Sequence, residues 1–167
     1  FNDYLHDMNI VQNFARLNRQ AIAADIIKSL KFTQLTSFST VHNYIDTENK
    51  ILRKGAISAQ NGERMMIPLN MRDGCLICRG KGNADWNCSA PHGAGRAFNR
   101  TDTVNAFTLS QYKKEMHGIY STSISRDTLD ECPMAYKNSA AIIKQIEPTA
   151  EIIERLIPVY SFKAGAG

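Results

Sequence analysis

The sequence lacks several features that mark particular classes of protein. No apolar run approaches the roughly 18 residues of a membrane-spanning helix, which argues against a transmembrane segment and a membrane partner. It has no internal repeat, linker or low-complexity segment, so the 167 residues have the character of one folded unit. No signal peptide is visible, but the chain begins at Phe1 without a methionine, and we therefore expect an upstream segment.

Cysteine is scarce, with four residues at positions 75, 78, 88 and 132. A chain of this length with 43% hydrophobic residues can bury a core without disulfides, so we expect reduced thiols and a cytoplasmic location. The formal net charge of +4 suits an anionic partner such as RNA or a nucleotide. The same charge is equally compatible with plain solubility.

The cysteines allow one alternative function, a structural zinc module. Cys75 and Cys78, followed by Cys88 and His92, would supply three thiolates and an imidazole, an acceptable tetrahedral set. However, Cys75 and Cys78 lie in a segment with the composition of a strand, where residues three apart point to opposite faces. The zinc site is therefore the weaker hypothesis.

Periodicity and turn residues predict an α+β chain. Tyr4–Leu30 carries apolar residues at helical spacing, and we expect this long helix to bury its apolar stripe in a core. Asn61-Gly62 is typical of a hairpin turn, so the strands on either side should pair, with Pro68 closing the second. The predicted elements after the polar loop Thr33–Thr40 are strands at Lys50–Ala59, Arg64–Leu69, Gly74–Arg79 and Ile157–Phe162, and helices at Thr108–Met116, Ser139–Ile146 and Thr149–Leu156.

The stretch Ser89–Arg96, SAPHGAGR, has the composition of a phosphate-binding loop. Pro91 fixes the backbone before His92, and the small residues Gly93–Gly95 leave backbone N–H groups open to a phosphate. Arg96 adds a guanidinium that can hold a phosphate bidentately. A histidine beside such a loop can attack phosphorus, although a glycine turn with a surface histidine has the same pattern.

Other stretches match one known family in the same order, and together they cover essentially the whole chain. They are YLHDMNIVQNFARLNRQ (Tyr4–Gln20), HNYIDTE (His42–Glu48), RKGAISA (Arg53–Ala59), IPLNM (Ile67–Met71), SAPHGAGR with Arg100 behind it, PMAYKN (Pro133–Asn138) and Lys163. With these stretches the chain resembles the RtcB family of RNA ligases. HGAGR and RKGA, correctly spaced and ordered, are highly specific.

The resemblance implies a fold, an extent and a reaction. The fold would be α+β, with a mixed sheet and packed helices, and residues 1–167 would form the C-terminal part of a larger catalytic domain. Enzymes of this family join an RNA 3′-phosphate or 2′,3′-cyclic phosphate end to an RNA 5′-hydroxyl end in RNA splicing or repair. The implied cofactors are GTP and Mn²⁺, and the implied intermediate is GMP bound to His92.

The resemblance also implies roles for single residues. Imidazole is nucleophilic when neutral and a good leaving group once protonated, which suits His92 as the residue that carries GMP. His42 would be a manganese ligand, with Asn43 beside the nucleotide. Tyr136 would pack at the guanine base. Lys163 would donate to the guanine O6, and because a lysine only donates, it would favour GTP over ATP.

The other implied contacts form three groups. The loop that cradles the nucleotide matches Pro68, Leu69, Asn70, Met71 and Cys75, but Leu69 and Arg72 replace glycines, and Asn70 and Cys75 replace serines. The phosphate loop contributes Gly93, Ala94 and Gly95. Basic residues that hold phosphates of RNA or nucleotide match Arg53, Lys54, Arg96 and Arg100, and we expect catalytic roles for Lys54 and Arg96.

The family's other metal ligands, an aspartate, a cysteine and two further histidines, match nothing in these residues. We therefore expect the upstream half of the same protein as a partner, and we expect this chain alone to be inactive in ligation. The alternative is a degenerate fragment that binds nucleotide or RNA but does not ligate.

Overall fold

The structure, a computed structural model, describes residues 1–163. Its helices are α1 (Asn2–Ser29), α2 (Arg100–Ala106), α3 (Leu109–Glu115) and α4 (Ser139–Ile146). Its strands are β1 (His42–Asp46), β2 (Ile51–Ser58), β3 (Arg64–Asn70), β4 (Gly74–Gly80), β5 (Ser89–Pro91) and β6 (Ala150–Leu156). The predicted α+β class is confirmed, and α3 and α4 lie where the sequence placed helices.

The strands are divided between two antiparallel sheets rather than joined in one mixed sheet. One sheet has the order β1-β2-β5 and the other β3-β4-β6. The predicted pairing of β2 with β3 is therefore wrong, although the turn at Asn61-Gly62 exists and carries the chain from one sheet to the other. Gly62 has φ +80°, and its N–H donates to Gly80 O of the second sheet at 2.9 Å.

Two predictions near the C-terminus are wrong. The segment predicted as the helix Thr149–Leu156 forms β6, which pairs antiparallel with β4. The edge of β4 offers a row of backbone groups that need partners, and this pairing outweighs the helical propensity of the segment. The segment Ile157–Phe162 is irregular, with an isolated bridge between Tyr120 and Tyr160. Pro68 does not close β3, which continues to Asn70.

Two hydrophobic clusters form the interior. The first joins both sheets to α4, with Ile57 from β2, Ile67 from β3 and Ile146 from α4 fully buried. The second lies beneath α3 and includes Tyr112, whose hydroxyl donates to Met71 Sδ at 3.0 Å. Residues 69–71 at the end of β3 pass from one cluster to the other, which fixes the position of the loop that follows.

Helix α1 has no buried residue, so the prediction that its apolar stripe lies in a core is wrong for the part of the chain that the structure describes. Its tertiary hydrogen bonds are polar contacts with β1 and the turn after it. Gln12 Oε1 accepts from Ile45 N at 2.8 Å, and the Thr47 hydroxyl lies 2.8 Å from Asn9 Oδ1. In residues 1–163 no helix has both the length and the apolar character needed to cross a membrane.

Candidate active site

His92 lies immediately after β5, which pairs with β2. The His92 N–H donates to Gly55 O of β2 at 3.2 Å. Gly55 has φ +69°, a left-handed conformation that favours glycine, and the imidazole lies against it. His92 is half-buried and lines two clefts that otherwise have different lining residues. The sequence motif therefore places its histidine where ligands in either cleft can reach it.

The second histidine, His42, lies beside His92. The two imidazole rings are stacked, with centroids 5.6 Å apart and planes inclined by 21°. Burial lowers the pKa of His92, and the neighbouring His42 lowers it further. The register of β1 against β2 is irregular between His42 and Tyr44. At this irregularity Asn43 has a φ of +55°, and its Oδ1 accepts from Gly55 N at 2.6 Å. His92 is thus held by β2 in a setting that favours the neutral, nucleophilic imidazole.

One of the two clefts, here named the glycine-loop cleft, brings together most of the predicted site residues. It has a volume of about 580 Å³. Its lining residues are Pro68, Leu69, Asn70, Met71, Gly74, His92, Gly93, Ala94, Gly95, Arg96, Arg100, Glu131, Tyr136, Ser161 and Lys163. Residues from four separate stretches of the sequence (68–74, 92–100, 131–136 and 161–163) therefore converge on one cavity, and Gly74, Glu131 and Ser161 are the members that the sequence did not suggest.

The glycine loop itself packs closely on β3. Ala94 N donates to Pro68 O at 3.0 Å, and a Cβ on Gly93 would lie 3.0 Å from the same oxygen. Gly95 has φ +69°, and its carbonyl accepts from Lys137 N at 3.0 Å. The small residues are therefore required by close backbone approach at Gly93 and by a left-handed conformation at Gly95.

The loop after β3 offers a nucleotide fewer side-chain contacts than the sequence suggested. The side chains of Leu69 and Met71 are buried in the two hydrophobic clusters, so only their backbone faces the cleft. Asn70 Oδ1 accepts from the N–H groups of Arg72 and Asp73, and its amide donates to Asp73 Oδ2 at 2.9 Å. The Asn70 side chain, which was predicted to contact the nucleotide, thus closes a turn instead.

The same turn is held by charge. Arg72 Nε donates to Asp73 Oδ1 at 2.9 Å, and Arg155 from β6 lies 3.7 Å from that oxygen. Although burial alone would raise it, the pKa of Asp73 is lowered to about 2 by hydrogen bonds from Arg72 and Asn70. Cys75, predicted to contact the nucleotide, is half-buried in β4 opposite Pro68, outside the residues that line the cleft.

Glu131 lies at the centre of the charged side chains in the glycine-loop cleft. Its side chain is 13% exposed. Its carboxylate contacts Arg96 at 3.5 Å, Arg100 at 2.8 Å, Lys163 at 3.0 Å and the Tyr136 hydroxyl at 2.6 Å. All four partners were predicted as site residues, but Glu131 was not. The one sequence feature that points to a role for Glu131 is its position five residues before Tyr136.

Arg96 is held by its neighbours but keeps one unsatisfied donor. Its Nε donates to Phe98 O at 2.9 Å, and Nη2 donates to Thr103 Oγ1 at 3.2 Å. Nη1 is buried and, within residues 1–163, makes no hydrogen bond, but it lies 3.5 Å from Glu131 Oε1 in an ion pair. The guanidinium is therefore held in a fixed position at the edge of the cleft, where its charge can attract an anionic ligand.

The other cleft, here named the basic cleft, has a volume of about 610 Å³ and is lined by Asn43, Leu52, Arg53, Lys54, Gly55 and His92. Lys54 and His42 are exposed beside it. The Arg53 side chain, in contrast, is 1% exposed and bonds to Asp46 at 3.1 Å, to Tyr44 OH at 3.1 Å and to Ser89 Oγ at 3.0 Å. The predicted phosphate contact of Arg53 is not favoured, because its guanidinium already holds β1 and β5 onto β2.

The role of His42 as a manganese ligand stays a prediction. Within residues 1–163 there is no group of three or more His, Cys, Asp or Glu side chains arranged to hold a metal ion. This also gives no support to the zinc hypothesis, since Cys78 is fully buried in β4 while His92 lies in the clefts. His42 can serve as one ligand of a metal whose other ligands come from elsewhere.

Comparison with known proteins accounts for this arrangement. Residues 1–164 match the family described as tRNA-splicing ligase RtcB. The RNA-splicing ligase RtcB of Escherichia coli strain K12 is 33% identical over 181 aligned residues, which cover 98% of this chain and 44% of that protein. The tRNA-splicing ligase RtcB of Aeropyrum pernix is 29% identical over 196 residues, covering 94% of this chain and 40% of that protein.

The chain therefore spans less than half the length of the curated relatives it matches. The match nevertheless extends over almost all of its own length, and it includes the glycine loop and the residues that converge on His92. The chain belongs to the tRNA-splicing ligase RtcB family.

Proposed function

We propose that this chain is the guanylate-carrying part of a GTP-dependent RNA ligase that acts through a His92–GMP intermediate. The observation that carries the proposal is the convergence of His92, the glycine loop, Tyr136 and Lys163 on one cleft of nucleotide-binding size. The relatives, an RNA-splicing ligase and a tRNA-splicing ligase by name, support the same activity. The RNA ends joined would be a 3′-phosphate or 2′,3′-cyclic phosphate and a 5′-hydroxyl.

The first chemical step would be nucleophilic attack by His92. The neutral imidazole nitrogen forms a bond to the α-phosphorus of GTP, the bond to pyrophosphate breaks, and the ring proton is released to solvent. Burial and the neighbouring His42 lower the pKa of His92, which keeps the attacking nitrogen unprotonated near neutral pH. The resulting phosphoramidate is reactive because a protonated imidazole leaves readily, so the GMP can pass to an RNA phosphate.

The glycine-loop cleft would hold the nucleotide through complementary charge. Arg96 and the backbone of Gly93–Gly95 line this cleft and would hold the phosphates. Lys163 would donate to the guanine O6 while Tyr136 packs against the base. A lysine cannot accept a hydrogen bond from the adenine amino group, so this arrangement favours GTP over ATP.

The basic cleft would receive the RNA. It shares His92 with the glycine-loop cleft but none of the other lining residues, and Lys54 is exposed there. An RNA phosphate in this cleft would lie close to GMP on His92 without occupying the residues that hold the base. His42 would serve as one ligand of Mn²⁺, which would offset charge on the reacting phosphate, and its other ligands would come from the upstream half of the protein.

The test is covalent labelling with GTP carrying a radioactive α-phosphate, in the complete protein with Mn²⁺. The protein should be labelled, and the label should be lost in acid and kept in alkali, as for a phosphoramidate. GTP labelled at the γ-phosphate should give no label, because pyrophosphate leaves. His92→Ala should reduce labelling below detection, and the matched control His117→Ala, at an exposed histidine outside both clefts, should label normally. Equal labelling of His92→Ala would overturn the proposal.

A second candidate function is binding of guanine nucleotides without transfer, and the observation that favours it is the glycine-loop cleft, which the described residues form by themselves. Such a chain would bind GTP in this cleft and form no adduct on His92. Saturable binding of GTP without labelling, in the complete protein with Mn²⁺ present, would support this function instead.

A further inference from the structure

We propose that Glu131 is a positioning residue for recognition of the guanine base, holding Tyr136 and Lys163 in the places from which they contact it. The inference rests on the proposed function, because it takes the glycine-loop cleft to be the GTP site. Glu131 acts through its neighbours and takes no part in bond formation. Its role is to set the preference for GTP over ATP.

The two carboxylate oxygens of Glu131 bond to different pairs of side chains. Oε2 accepts from the Tyr136 hydroxyl at 2.6 Å and lies 3.0 Å from the Lys163 ammonium. Oε1 lies 2.8 Å from Arg100 and 3.5 Å from Arg96. The carboxylate thereby joins the glycine loop, the segment before α4 and the last described residue. These parts of the chain have no strand or helix in common.

Lys163 depends on this contact because little else fixes it. It follows an irregular segment, and its backbone N–H donates to Ser123 Oγ at 2.9 Å. A lysine side chain is flexible, and ordering it when a ligand binds lowers affinity. The ion pair with Glu131 orders the ammonium in advance and still leaves N–H donors for a carbonyl acceptor such as the guanine O6.

Tyr136 is fixed by Glu131 at its hydroxyl and by Arg96 at its ring. The Arg96 guanidinium carbon lies 5.2 Å from the ring centroid, so a base can stack only on the other face. Burial, together with the hydrogen bond to Glu131, raises the pKa of Tyr136 to about 12, so the phenol remains a donor. Burial alone would raise the pKa of Glu131, but the bonds from Tyr136 and Lys163 lower it and keep the carboxylate charged.

A purely structural role for Glu131 makes a different prediction. If the carboxylate only stabilised the fold, its loss would reduce labelling by GTP and by ATP in equal proportion. A carboxylate that positions base-contacting groups changes the ratio between the two nucleotides. The ratio of kcat/KM values for GTP and ATP is therefore the informative measurement.

The experiment measures initial rates of His92 labelling in the complete protein for wild type, Glu131→Gln, Lys163→Ala and the double variant. Glu131→Gln keeps the shape of the side chain and removes its charge. We expect the KM for GTP to rise about tenfold with kcat changed less than about threefold, and the GTP-to-ATP ratio to fall about tenfold. In the Lys163→Ala background the same substitution should change the ratio by less than about threefold, because the residue it positions is absent.

Asp130→Asn is the matched control. Asp130 is the preceding residue and also pairs with Arg100, but among the contacts of residues 1–163 its carboxylate reaches neither Tyr136 nor Lys163. It should keep the wild-type GTP-to-ATP ratio. An Asp130→Asn variant that lowers the ratio as far as Glu131→Gln would overturn the inference, because loss of any charge near Arg100 would then suffice.

The remaining outcomes are also decisive. An unchanged ratio in folded Glu131→Gln overturns the inference while the proposed function stands. If GTP does not label even the wild type, the proposed function fails and the inference fails with it. If circular dichroism shows that Glu131→Gln does not fold, Glu131→Asp and Tyr136→Phe replace it, and an unchanged ratio in both overturns the inference.

Discussion

The two clefts that share His92 differ in how completely this chain builds them. In the glycine-loop cleft, charged side chains bond to one another around Glu131, and residues from four stretches of the sequence line a common cavity. In the basic cleft, His42 and Lys54 are exposed, and the one buried cation, Arg53, is occupied in joining strands. The side chains of the glycine-loop cleft are ordered before any ligand binds, whereas the basic cleft needs further groups to complete it.

This difference separates two parts of the proposed reaction. Base recognition depends on preformed contacts within the chain, so it should be sensitive to single substitutions there. Metal binding and RNA binding depend on groups that residues 1–163 supply only in part, with one imidazole and an exposed lysine. The predictions that follow each test one side of this division.

The largest effect should come from testing the chain alone. We predict that the isolated 167 residues form no His92–GMP adduct and ligate no RNA, because a single imidazole cannot hold Mn²⁺ tightly against water. Adding the upstream half in trans should restore both manganese binding and labelling, and His42→Ala should abolish the restored activity. Ligation by the isolated chain at a rate comparable to that of the complemented protein would contradict the prediction.

The next effect concerns the glycine-loop cleft. Lys163→Ala should lower kcat/KM for GTP by about 10- to 100-fold, because an unpaired buried carbonyl costs roughly 1–3 kcal/mol. Joining of RNA that already carries GMP should be less affected, since the base has then been selected. Competition between GTP and ATP measures the preference directly. If the GTP-to-ATP ratio stays at the wild-type value, Lys163 does not contact the base.

Asp73 tests, through stability, the turn after β3, whose neighbours Asn70 and Gly74 line the same cleft. Its pKa of about 2 lies below the usual value for aspartate, so the ionised group stabilises the fold by roughly 2 kcal/mol above pH 4. A depressed pKa means that this contribution is lost as the pH falls from about 4 to about 2. Asp73→Asn should lower the free energy of unfolding by that amount at pH 7, and the difference should vanish near pH 2.

Urea unfolding at several pH values, followed by circular dichroism, measures the Asp73 effect. Asp127→Asn, at an exposed aspartate, is the control and should unfold like the wild type at every pH. A pH-independent difference between wild type and Asp73→Asn would show that lost packing, and not the charge paired with Arg72, causes the destabilisation.

Features of this arrangement that neighbouring residues encode could be predicted from the sequence, whereas features that depend on distant residues could not. The glycine loop and His92 line one cleft, as their adjacency in the sequence suggests, because Pro91 and three small residues encode the backbone locally. Ala150–Leu156 was predicted as a helix because its partner, β4, lies about 75 residues earlier, and pairing at that distance leaves no local pattern. The predicted pairing of β2 with β3 was wrong because the Asn61-Gly62 signal is local. It fixes a turn but not the sheet that the next strand joins.

The roles of charged residues were harder to predict than their presence. Arg53 and Arg96 are both arginines in family motifs, yet Arg53 is buried against Asp46 and Arg96 lines the glycine-loop cleft. Sequence spacing does not distinguish them, because the difference arises from tertiary partners, Asp46 for Arg53 and Glu131 for Arg96. Glu131 was missed because a single glutamate in an irregular segment is typical of solvent-exposed surface, and only the fold brings Lys163 to it.

The smallest effect should come from the basic cleft. Lys54 is exposed, so a contact between its ammonium and an RNA phosphate is worth little individually, and Lys54→Ala should slow RNA joining by only about three- to tenfold. Labelling of His92 by GTP should remain within about twofold of wild type, because Lys54 lines the other cleft. The defect should shrink at high salt, where exposed charges are screened. Lys113→Ala, at an exposed lysine of α3 outside both clefts, should leave both steps unchanged. A Lys54→Ala variant that loses GTP labelling while RNA binding is retained would show that the two clefts do not divide the reaction in this way.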